Sequence, residues 1–411
     1  MAERLLIIGN GMASVRLCEE LLAHAPKRFE TTVVGAEPQA GYNRVLLSAL
    51  LAGDIGEADL ALRGVGWYQE HGIRLMTGRR VERLDLGGRQ AILTGGDSLA
   101  FDRVVLATGS SAVRLPTPGM TLPGVTTFRD LADLPALREA ARDRRSVAVI
   151  GGGLLGIEAA YGLAKGGAKV TLVHVMDRLM ERQLDRRAAA FLKRAIERKG
   201  IRVFLNAQTT GVAGVGRAEA LVMADGSILP ADLVVVAVGV RPNVELARAA
   251  GLPVKRGVLV DDALTTAVPF VHAIGECAEH RDAVYGLVEP AYEQARVLAR
   301  RLGGDMDAVY EGTALSTNLK VSGVPVFSAG DFLGAEGTDE IVLEDRGAGL
   351  CKRLVLKGDR LVGAVLVGEA DDALWYRDLI RRGEHVSAIR ENLIFGRAFC
   401  ESAPTGVREA A

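Results

Sequence analysis

The residues best suited to chemistry in this sequence form short glycine-rich turns. Gly9, Gly11 and Ser14 follow a short apolar run and precede an amphipathic helix. Glycines let the backbone turn tightly and approach a phosphate group, which then lies on exposed N–H groups at the positive end of the helix. A second predicted strand ends near the acidic Glu37, where a ribose hydroxyl would need it. Strand, turn, helix and acidic residue together form the fingerprint of a dinucleotide site.

The same pattern occurs again in the middle of the chain. Gly151, Gly153 and Gly156 follow the apolar residues 146–150, and a helix and a further strand come next. Here all three fingerprint glycines are present. Two such units predict two bound dinucleotides and two βαβ-based domains, the alternative being one functional site and one vestigial repeat.

The cysteines limit the redox chemistry that the side chains can supply. Cys18, Cys277, Cys351 and Cys400 lack the C-x-x-C spacing of a redox disulfide, and no Cys/His cluster has the spacing of a zinc or iron–sulfur site. The sequence therefore predicts reduced thiols and no bound metal. Cys277 directly follows Glu276 but has no visible partner, so a structural role is favoured over a redox one.

Charge and hydropathy exclude two classes of partner. The 50 Lys and Arg residues balance 51 Asp and Glu residues, so the net charge of −1 predicts no binding to nucleic acid or to a membrane surface. No apolar run approaches the ~20 residues needed to cross a bilayer. The N-terminus lacks the features of a secretory signal, and we expect a cytoplasmic protein.

Three further segments extend the two glycine turns into a family pattern. They are Val104–Ser110, Val234–Asn243 and Phe270–Glu276, in the order expected for flavoproteins with two dinucleotides. Together the five markers resemble the FAD-dependent pyridine nucleotide–disulfide oxidoreductase superfamily. The resemblance implies an α/β fold of the glutathione-reductase type, with two Rossmann-like dinucleotide-binding domains and a small C-terminal α+β domain. The expected boundaries are 1–112 with 243–317 for FAD, 113–242 for NAD(P)H, and 318–411 for the C-terminal interface domain.

Four other segments are similar to one branch of this superfamily. Residues 42–48, 174–185, 285–290 and 316–324 resemble the flavoprotein module of bacterial assimilatory NAD(P)H-dependent nitrate and nitrite reductases. In the large nitrite reductase subunits that module continues into cysteine-rich and siroheme-binding regions, which do not follow residue 396 here. The resemblance therefore implies a diaphorase-type subunit that passes electrons from NAD(P)H through FAD to a nitrate or nitrite reductase catalytic subunit.

Two other functions are also compatible with this sequence. A ferredoxin or rubredoxin reductase shares the fold and the flavin chemistry and would deliver electrons to a ferredoxin-like carrier. A flavin- and NAD(H)-binding redox sensor without useful turnover is the alternative that is not an enzyme. A homodimer is also open, because the C-terminal domain of related flavoproteins often carries a subunit or partner contact.

The resemblance also implies which residues hold the cofactors. The cofactor-binding set is Gly9, Gly11, Met12, Ala13, Ser14, Glu37, Arg44, Ser48, Val81, Ala107, Thr108, Gly109, Arg129, Gly151, Gly153, Leu154, Gly156, His174, Gly239, Gly275, Glu276 and Pro290. Within this set Arg44 and Arg129 are expected to face FAD phosphates, Glu37 a ribose, and Glu276 the ribityl chain. The alternative for Arg44 and Arg129 is that they are exposed surface arginines, and the alternative for Glu276 is that it is a solvated carboxylate.

Two positions depart from the family pattern. Glu158, the catalytic candidate near the nicotinamide, usually pairs with a lysine from a Leu-Ser-Lys segment, but here Ser48 is followed by Ala49. Glu158 therefore lacks its usual lysine partner, and helix-dipole stabilisation is its alternative role. His174 lies where an acidic residue would select NADH, so the residues leave NADH or NADPH open, while the resemblance favours NADH.

The last ninety residues predict a small α+β region. Residues 352–357 and 361–367 read as two strands around a Gly-Asp turn, followed by a helix through Ala373 and Leu379 and another near Ala388 and Leu393. Trp375, Tyr376 and Phe395 are candidates for an interface, with core burial as the alternative for each.

Overall fold

The computed structural model describes residues 2–313, 316–321 and 323–401. Ser322, within the last quoted segment of the family resemblance, lies outside the described residues. The described residues form two compact units. One comprises 2–113, 129–131 and 239–313, and the other comprises 114–128, 132–238, 316–321 and 323–401. The predicted three-domain division remains a prediction, since the second unit holds both the middle and the C-terminal segments.

The first unit begins with a mixed set of strands and helices. These are β1 (Glu3–Ile8), α1 (Met12–His24), β2 (Phe29–Val34), α2 (Leu47–Leu51), α3 (Val65–Glu70), β3 (Arg74–Met76), β4 (Val81–Asp85), β5 (Gln90–Leu93), β6 (Ser98–Ala100), β7 (Arg103–Leu106) and β8 (Ser110–Ala112).

The middle of the chain, in the second unit, alternates strands and helices. Its elements are β9 (Val125–Thr127), α4 (Leu134–Arg142), β10 (Ser146–Ile150), α5 (Leu154–Lys165), β11 (Lys169–Val173), α6 (Arg186–Glu197), β12 (Arg202–Phe204), β13 (Thr209–Ala213), β14 (Ala220–Met223), β15 (Ile228–Pro230) and β16 (Leu233–Val236).

The chain then returns to the first unit and ends in the second. The returning elements are β17 (Val240–Pro242), α7 (Glu245–Ala249), β18 (Val258–Val260), β19 (Val271–Ala273), β20 (Ala278–His280) and α8 (Val288–Gly303). The last elements are β21 (Ser316–Val321), β22 (Val324–Gly330), β23 (Asp339–Asp345), β24 (Leu350–Lys357), β25 (Arg360–Val367), α9 (Ala373–Arg382) and α10 (Arg397–Glu401).

A parallel sheet of order β19-β7-β1-β2-β3 forms the centre of the first unit. Because successive side chains of a strand point to opposite faces, β1 contributes to two apolar layers. Leu5 and Ile7 pack with the buried residues of α1 and α8. Leu6 and Ile8 lie on the other face, with buried residues of β4 and β5. A sheet covered on both faces explains why β1 is a continuous apolar run.

The second unit repeats this arrangement with a parallel sheet of order β12-β11-β10-β16-β9. From β10, Ala148 and Ile150 join a buried cluster that includes Val212 of β13 and Leu221 of β14. Two parallel Rossmann-like sheets in one chain confirm the predicted α/β fold class.

An antiparallel sheet of order β21-β22-β25-β24-β23 forms the C-terminal part of the second unit. Helix α9 contacts this sheet, and Tyr376 is fully buried, with its hydroxyl donating to the Leu393 carbonyl at 2.7 Å. The α-helix predicted near Ala388 and Leu393 is wrong. Two separate 3-10 turns, Ser387–Ile389 and Leu393–Phe395, take its place, and their backbone N–H groups donate to carbonyls three residues earlier.

The described residues contain neither a candidate membrane span nor a candidate metal site. No described helix has the length and apolar character that a membrane span requires. Within the same residues, no group of three or more His, Cys, Asp or Glu side chains is arranged to hold a metal ion.

A buried histidine in the central sheet of the first unit makes stability depend on pH. His272 of β19 is buried, and its Nε2 has no hydrogen-bond partner within the part of the chain that the structure describes. Burial, reinforced by the positive charges of Arg103 and Arg301, lowers the pKa of His272 from 6.5 to about 4. The unfolded chain therefore binds a proton that the folded chain does not between pH 6.5 and pH 4. The contribution of the neutral His272 to the free energy of unfolding is fully present above pH 6.5. It is lost as the pH falls through this window, which lowers the free energy of unfolding by about 3 kcal/mol at most.

Replacing His272 with glutamine tests this expectation. The His272→Gln variant should lose part of the fall in unfolding free energy between pH 6.5 and pH 4, because the replaced side chain takes up no proton. Urea unfolding at a series of pH values measures the slope directly. Parallel curves for the variant and the wild type over this window would show that His272 does not contribute.

Candidate functional site

The predicted FAD residues of the first unit meet at one edge of its parallel sheet. The turns that follow β1, β7 and β19 lie side by side because these strands are neighbours and run in the same direction. A Cβ on Gly9, whose φ is +113°, would clash with the Ala107 carbonyl oxygen. A Cβ on Gly275, whose φ is +77°, would lie 3.1 Å from the Ala13 Cβ. Both glycines are therefore needed for close approach of backbone and helix, and this edge is where parallel α/β sheets bind ligands.

The first glycine turn also fits a bound pyrophosphate. A Cβ built on Gly11 would have no atom of the described residues within 4 Å, so there is open space over the middle of the turn. Met12 begins α1, whose first N–H groups have no partner within the helix. Two buried polar atoms beside the turn, Asn10 Nδ2 and Ser14 Oγ, have no hydrogen-bond partner among the described residues. Unsatisfied donors around an open turn are what a dinucleotide would satisfy.

Glu37 and Arg44 are paired with each other. Strand β2 ends at Val34, so Glu37 lies in the following loop rather than at the strand end. Its carboxylate accepts a hydrogen bond from the Tyr42 hydroxyl at 2.7 Å and forms an ion pair with Arg44. Arg44 also donates to the Arg129 carbonyl at 3.1 Å. Burial raises the pKa of Tyr42, which keeps its hydroxyl protonated and able to donate to Glu37.

Arg129 and Glu276 form a second pair in the same unit. Their side chains make an ion pair, and the Ser110 hydroxyl donates to Glu276 at 2.7 Å. Arg129 donates to the same hydroxyl oxygen at 2.9 Å. The sequence predicted separate FAD contacts for these two residues, whereas the structure brings them together. Any contact that either makes with a cofactor must therefore share or replace this pair.

The remaining predicted FAD residues lie on nearby loops and element ends of this unit. Thr108 is held by Asn243, whose amide donates to the Thr108 carbonyl at 2.8 Å. Gly109 follows it with a φ of +65°. The other three are Ser48 in α2, Val81 at the start of β4, and the buried Pro290 in the first turn of α8.

The second glycine turn combines close packing and open space in the same way as the first. A Cβ on Gly151, whose φ is +118°, would clash with the Ala237 carbonyl oxygen, and a Cβ on Gly156 would clash with the Gly151 carbonyl oxygen. Gly153 again has no atom within 4 Å of an added Cβ, and Leu154 begins α5 directly after it. The turn thus has the same close packing below and open space above, and it fits a second pyrophosphate.

His174 directly follows β11, and its ring packs against this turn. Its Nδ1 accepts a hydrogen bond from the Gly152 backbone N–H at 3.0 Å, and its Nε2 lies 3.1 Å from a Glu181 carboxylate oxygen. Glu158 lies on the first turns of α5 and is half-buried. Gly239 stands between β16 and β17 with a φ of +114°. The cofactor roles of all three stay predictions.

The cysteines are poorly suited to redox chemistry. All four are free, with Cys18, Cys277 and Cys351 buried and Cys400 half-buried. Burial raises the pKa of Cys18 to about 12 and that of Cys351 to about 12, and it also raises the pKa of Cys277. Since the thiolate is the reactive form, these thiols are inert at neutral pH. The prediction of reduced, unpaired thiols agrees with this geometry.

Sequence reasoning missed several residues that organise the site. Asn10, Tyr42, Ser110, Asn243 and Glu181 each contact a predicted site residue or lie beside a predicted turn. Asn10 and Ser110 could have been found from their position inside or directly after a glycine turn. No local signal pointed to Glu181, because its contact depends on how the loop after β11 folds back.

Comparisons with known proteins agree with this architecture. The family described as pyridine nucleotide-disulphide oxidoreductase matches residues 3–295, and the rubredoxin NAD+ reductase C-terminal domain matches residues 316–384. The chain is similar to a nitrite reductase [NAD(P)H] of Bacillus subtilis (strain 168), with 44% identity over 94% of this chain and 48% of that protein.

Two further similarities are to a second curated relative and to a solved structure. An assimilatory nitrate reductase electron transfer subunit of Bacillus subtilis (strain 168) is 40% identical over 95% of this chain and 51% of its own length. The chain thus spans about half the length of these two curated relatives. The crystal structure of a covalent putidaredoxin reductase–putidaredoxin complex matches with a TM-score of 0.86 and 28% identity, over 97% of each chain. With two dinucleotide-type turns on two parallel sheets and a family match over most of its length, this chain belongs to the pyridine nucleotide-disulphide oxidoreductase family, whose cofactors are FAD and NAD(P)H.

Proposed function

We propose that this chain takes electrons from NAD(P)H onto FAD and passes them to a separate protein, as the electron-transfer unit of an assimilatory nitrate or nitrite reductase. The observation that carries the proposal is the presence of two glycine turns, each with open space over its middle glycine, Gly11 and Gly153. One turn would hold FAD and the other the pyridine nucleotide.

In the first unit, the proposal assigns the pyrophosphate to the turn from Gly9 to Ser14. Bound FAD would supply a ring that accepts a hydride and releases electrons one or two at a time. Arg44 would contribute a planar cation to the phosphates, and Glu37, already oriented by Tyr42, would accept from a ribose hydroxyl. The Arg129–Glu276 pair would border the rest of the cofactor, with Glu276 accepting from a ribityl hydroxyl.

In the second unit, the turn formed by Gly151, Gly153 and Gly156 would hold the nucleotide pyrophosphate at the start of α5. Glu158 lies one helical turn further along, where family resemblance places the nicotinamide. We propose that Glu158 orients the nicotinamide amide rather than moving a proton, because hydride transfer depends mainly on the positions of the two reacting atoms.

A protein acceptor is favoured by the cysteines and by the relatives. All four cysteines are free, and burial raises the pKa of Cys18, Cys277 and Cys351, so these thiols are poor partners for disulfide exchange. Electrons would therefore leave from the flavin itself. The names of two relatives point to nitrite and nitrate reduction, and both of those proteins are about twice as long as this chain.

Anaerobic mixing of the FAD-loaded protein with NADH or NADPH tests the proposal. Hydride transfer should bleach the visible flavin absorption promptly after mixing. Adding a nitrate or siroheme nitrite reductase catalytic protein should then restore the absorption. Bleaching without reoxidation by either catalytic protein would refute the assignment to nitrogen assimilation. No bleaching by either nucleotide would favour the redox sensor.

A ferredoxin or rubredoxin reductase is the second candidate. The similarity to the putidaredoxin reductase structure over nearly the whole chain favours it, as does the match of the C-terminal residues to a rubredoxin reductase domain. Reoxidation of the bleached flavin by a ferredoxin or rubredoxin, but not by the nitrate or nitrite reductase proteins, would establish this candidate instead. The cytoplasmic location and the homodimer remain predictions.

A further inference from the structure

The end of β11 carries a histidine where many dinucleotide-binding proteins have an acidic residue. At that position a carboxylate accepts the 2′-hydroxyl of the adenosine ribose and repels the 2′-phosphate of NADPH. His174 cannot do this itself as a neutral ring. Its side chain is 9% exposed and is packed over the second glycine turn, where a Cβ on Gly152 would lie 2.7 Å from ring atoms.

The hydrogen bonds of His174 fix which ring nitrogen carries the proton. Because Nδ1 accepts from the Gly152 N–H, the neutral ring must carry its hydrogen on Nε2. That N–H then points to the Glu181 carboxylate, 3.1 Å away. The histidine therefore connects the phosphate turn to an acidic side chain seven residues further along the chain.

The loop that carries Glu181 is also attached to the turn through its backbone. The Met180 N–H donates to the Gly152 carbonyl at 2.9 Å, and Met180 itself is buried with a φ of +50°. The Leu184 N–H donates back to the Met180 carbonyl at 2.8 Å. The Glu181 side chain remains 23% exposed, so its carboxylate is held in position but can reach a ligand.

The arginines of this loop and of the start of α6 are arranged unfavourably for a 2′-phosphate. Arg178 donates to loop carbonyls and to Asp177 at 3.0 Å, and Arg186 forms an ion pair with the same carboxylate. Arg182 is 87% exposed and lies 4.0 Å from Glu181. A phosphate at this place would meet the Glu181 carboxylate together with cations that are already paired or solvated.

We infer that Glu181 selects NADH over NADPH by accepting the ribose 2′-hydroxyl and repelling a 2′-phosphate, with His174 as its positioning residue. This inference rests on the proposed function, because it requires a pyridine nucleotide at the second glycine turn. The choice between NADH and NADPH is then made by Glu181 in the loop after β11, and not by the residue at the end of that strand.

Calorimetric titration of the FAD-loaded protein with NAD+ and, separately, with NADP+ tests the inference. The wild type should bind NAD+ at least about tenfold more tightly, the factor expected for one partly screened like-charge contact. Glu181→Gln removes the charge and keeps the shape. The ratio of the NADP+ to the NAD+ dissociation constant should therefore fall by about the same factor, mainly through tighter NADP+ binding. Glu219→Gln, an exposed site elsewhere in the second unit, makes the same charge change and should leave the ratio as in the wild type.

The positioning role is tested by His174→Asn. The asparagine oxygen can replace Nδ1 as acceptor for the Gly152 N–H, but the side chain is too short to reach Glu181. The ratio of the NADP+ to the NAD+ dissociation constant should fall in this variant. In the double variant with Glu181→Gln, this ratio should be no lower than in Glu181→Gln alone. Equal wild-type affinities, or a Glu181→Gln ratio equal to the wild type, would overturn the inference, and additive effects would overturn the role of His174. Because binding is measured rather than turnover, failure of hydride transfer would refute the proposed function without altering this result.

Discussion

Replacing Gly11 with valine should give a folded protein that is colourless. Gly11 precedes α1 with φ −95° and ψ −168°, an extended conformation that any L-residue can adopt. No atom in the described parts of the chain lies within 4 Å of an added Cβ, so the chain can carry the side chain at a cost of at most about 1 kcal/mol for a poorer helix cap. The valine methyl groups would instead fill the space over the turn that the FAD pyrophosphate needs. Loss of two hydrogen bonds to a charged group, about 3 kcal/mol or more, weakens FAD binding at least roughly 100-fold.

Flavin content and thermal unfolding of the purified variant measure the two parts of this expectation. Gly9→Ala is the matched control, because its smaller side chain clashes with the Ala107 carbonyl oxygen at a φ of +113°. That variant should lose stability even when no cofactor is present, whereas Gly11→Val should unfold close to the FAD-free wild type. A yellow Gly11→Val protein with ordinary FAD content would show that the pyrophosphate does not lie over this turn.

The parallel sheets and their glycine turns could be predicted because the signals are local. The apolar run before Gly9 and the one before Gly151 each require a strand covered on both faces, and the glycines that follow require a tight turn. The structure shows why one turn tolerates a serine at the third position and the other does not. Ser14 is accommodated as a fully buried side chain, whereas a Cβ on Gly156 would clash with the Gly151 carbonyl oxygen.

The charged residues of the candidate site could be named from the sequence but not paired. Arg129 and Glu276 are 147 positions apart, and nothing local to either indicates that they form an ion pair. Glu37 was expected near the end of β2, but β2 ends at Val34, where Gly35 bonds to the Met76 carbonyl and the chain leaves the strand. The Glu181–His174 contact likewise depends on the folded loop. Side-chain partners are set by tertiary packing, which hydrophobic periodicity and short motifs do not encode.

Replacing Gly153 with valine should separate the two half-reactions of the proposed enzyme. Gly153 has φ −79° and ψ −179°, and an added Cβ meets no atom within 4 Å, so the second unit should fold with its new side chain. Under the proposed function FAD occupies the other glycine turn, so the variant should be purified yellow, and dithionite should still bleach it. NADH should bleach it at least roughly 100-fold more slowly than the wild type at low NADH, because the side chain displaces the nucleotide pyrophosphate from its backbone donors.

Stopped-flow bleaching of Gly153→Val by NADH and by dithionite makes this comparison in one protein. Gly156→Ala serves as the contrast, since its Cβ would clash with the Gly151 carbonyl oxygen and should lower the unfolding temperature rather than leave a folded, selectively inactive enzyme. If NADH bleached Gly153→Val as fast as the wild type, the nucleotide could not bind over this turn, and the assignment of one turn to each cofactor would fail. If dithionite also failed to bleach it, the defect would lie in the flavin site, and the separation of the two half-reactions would be wrong.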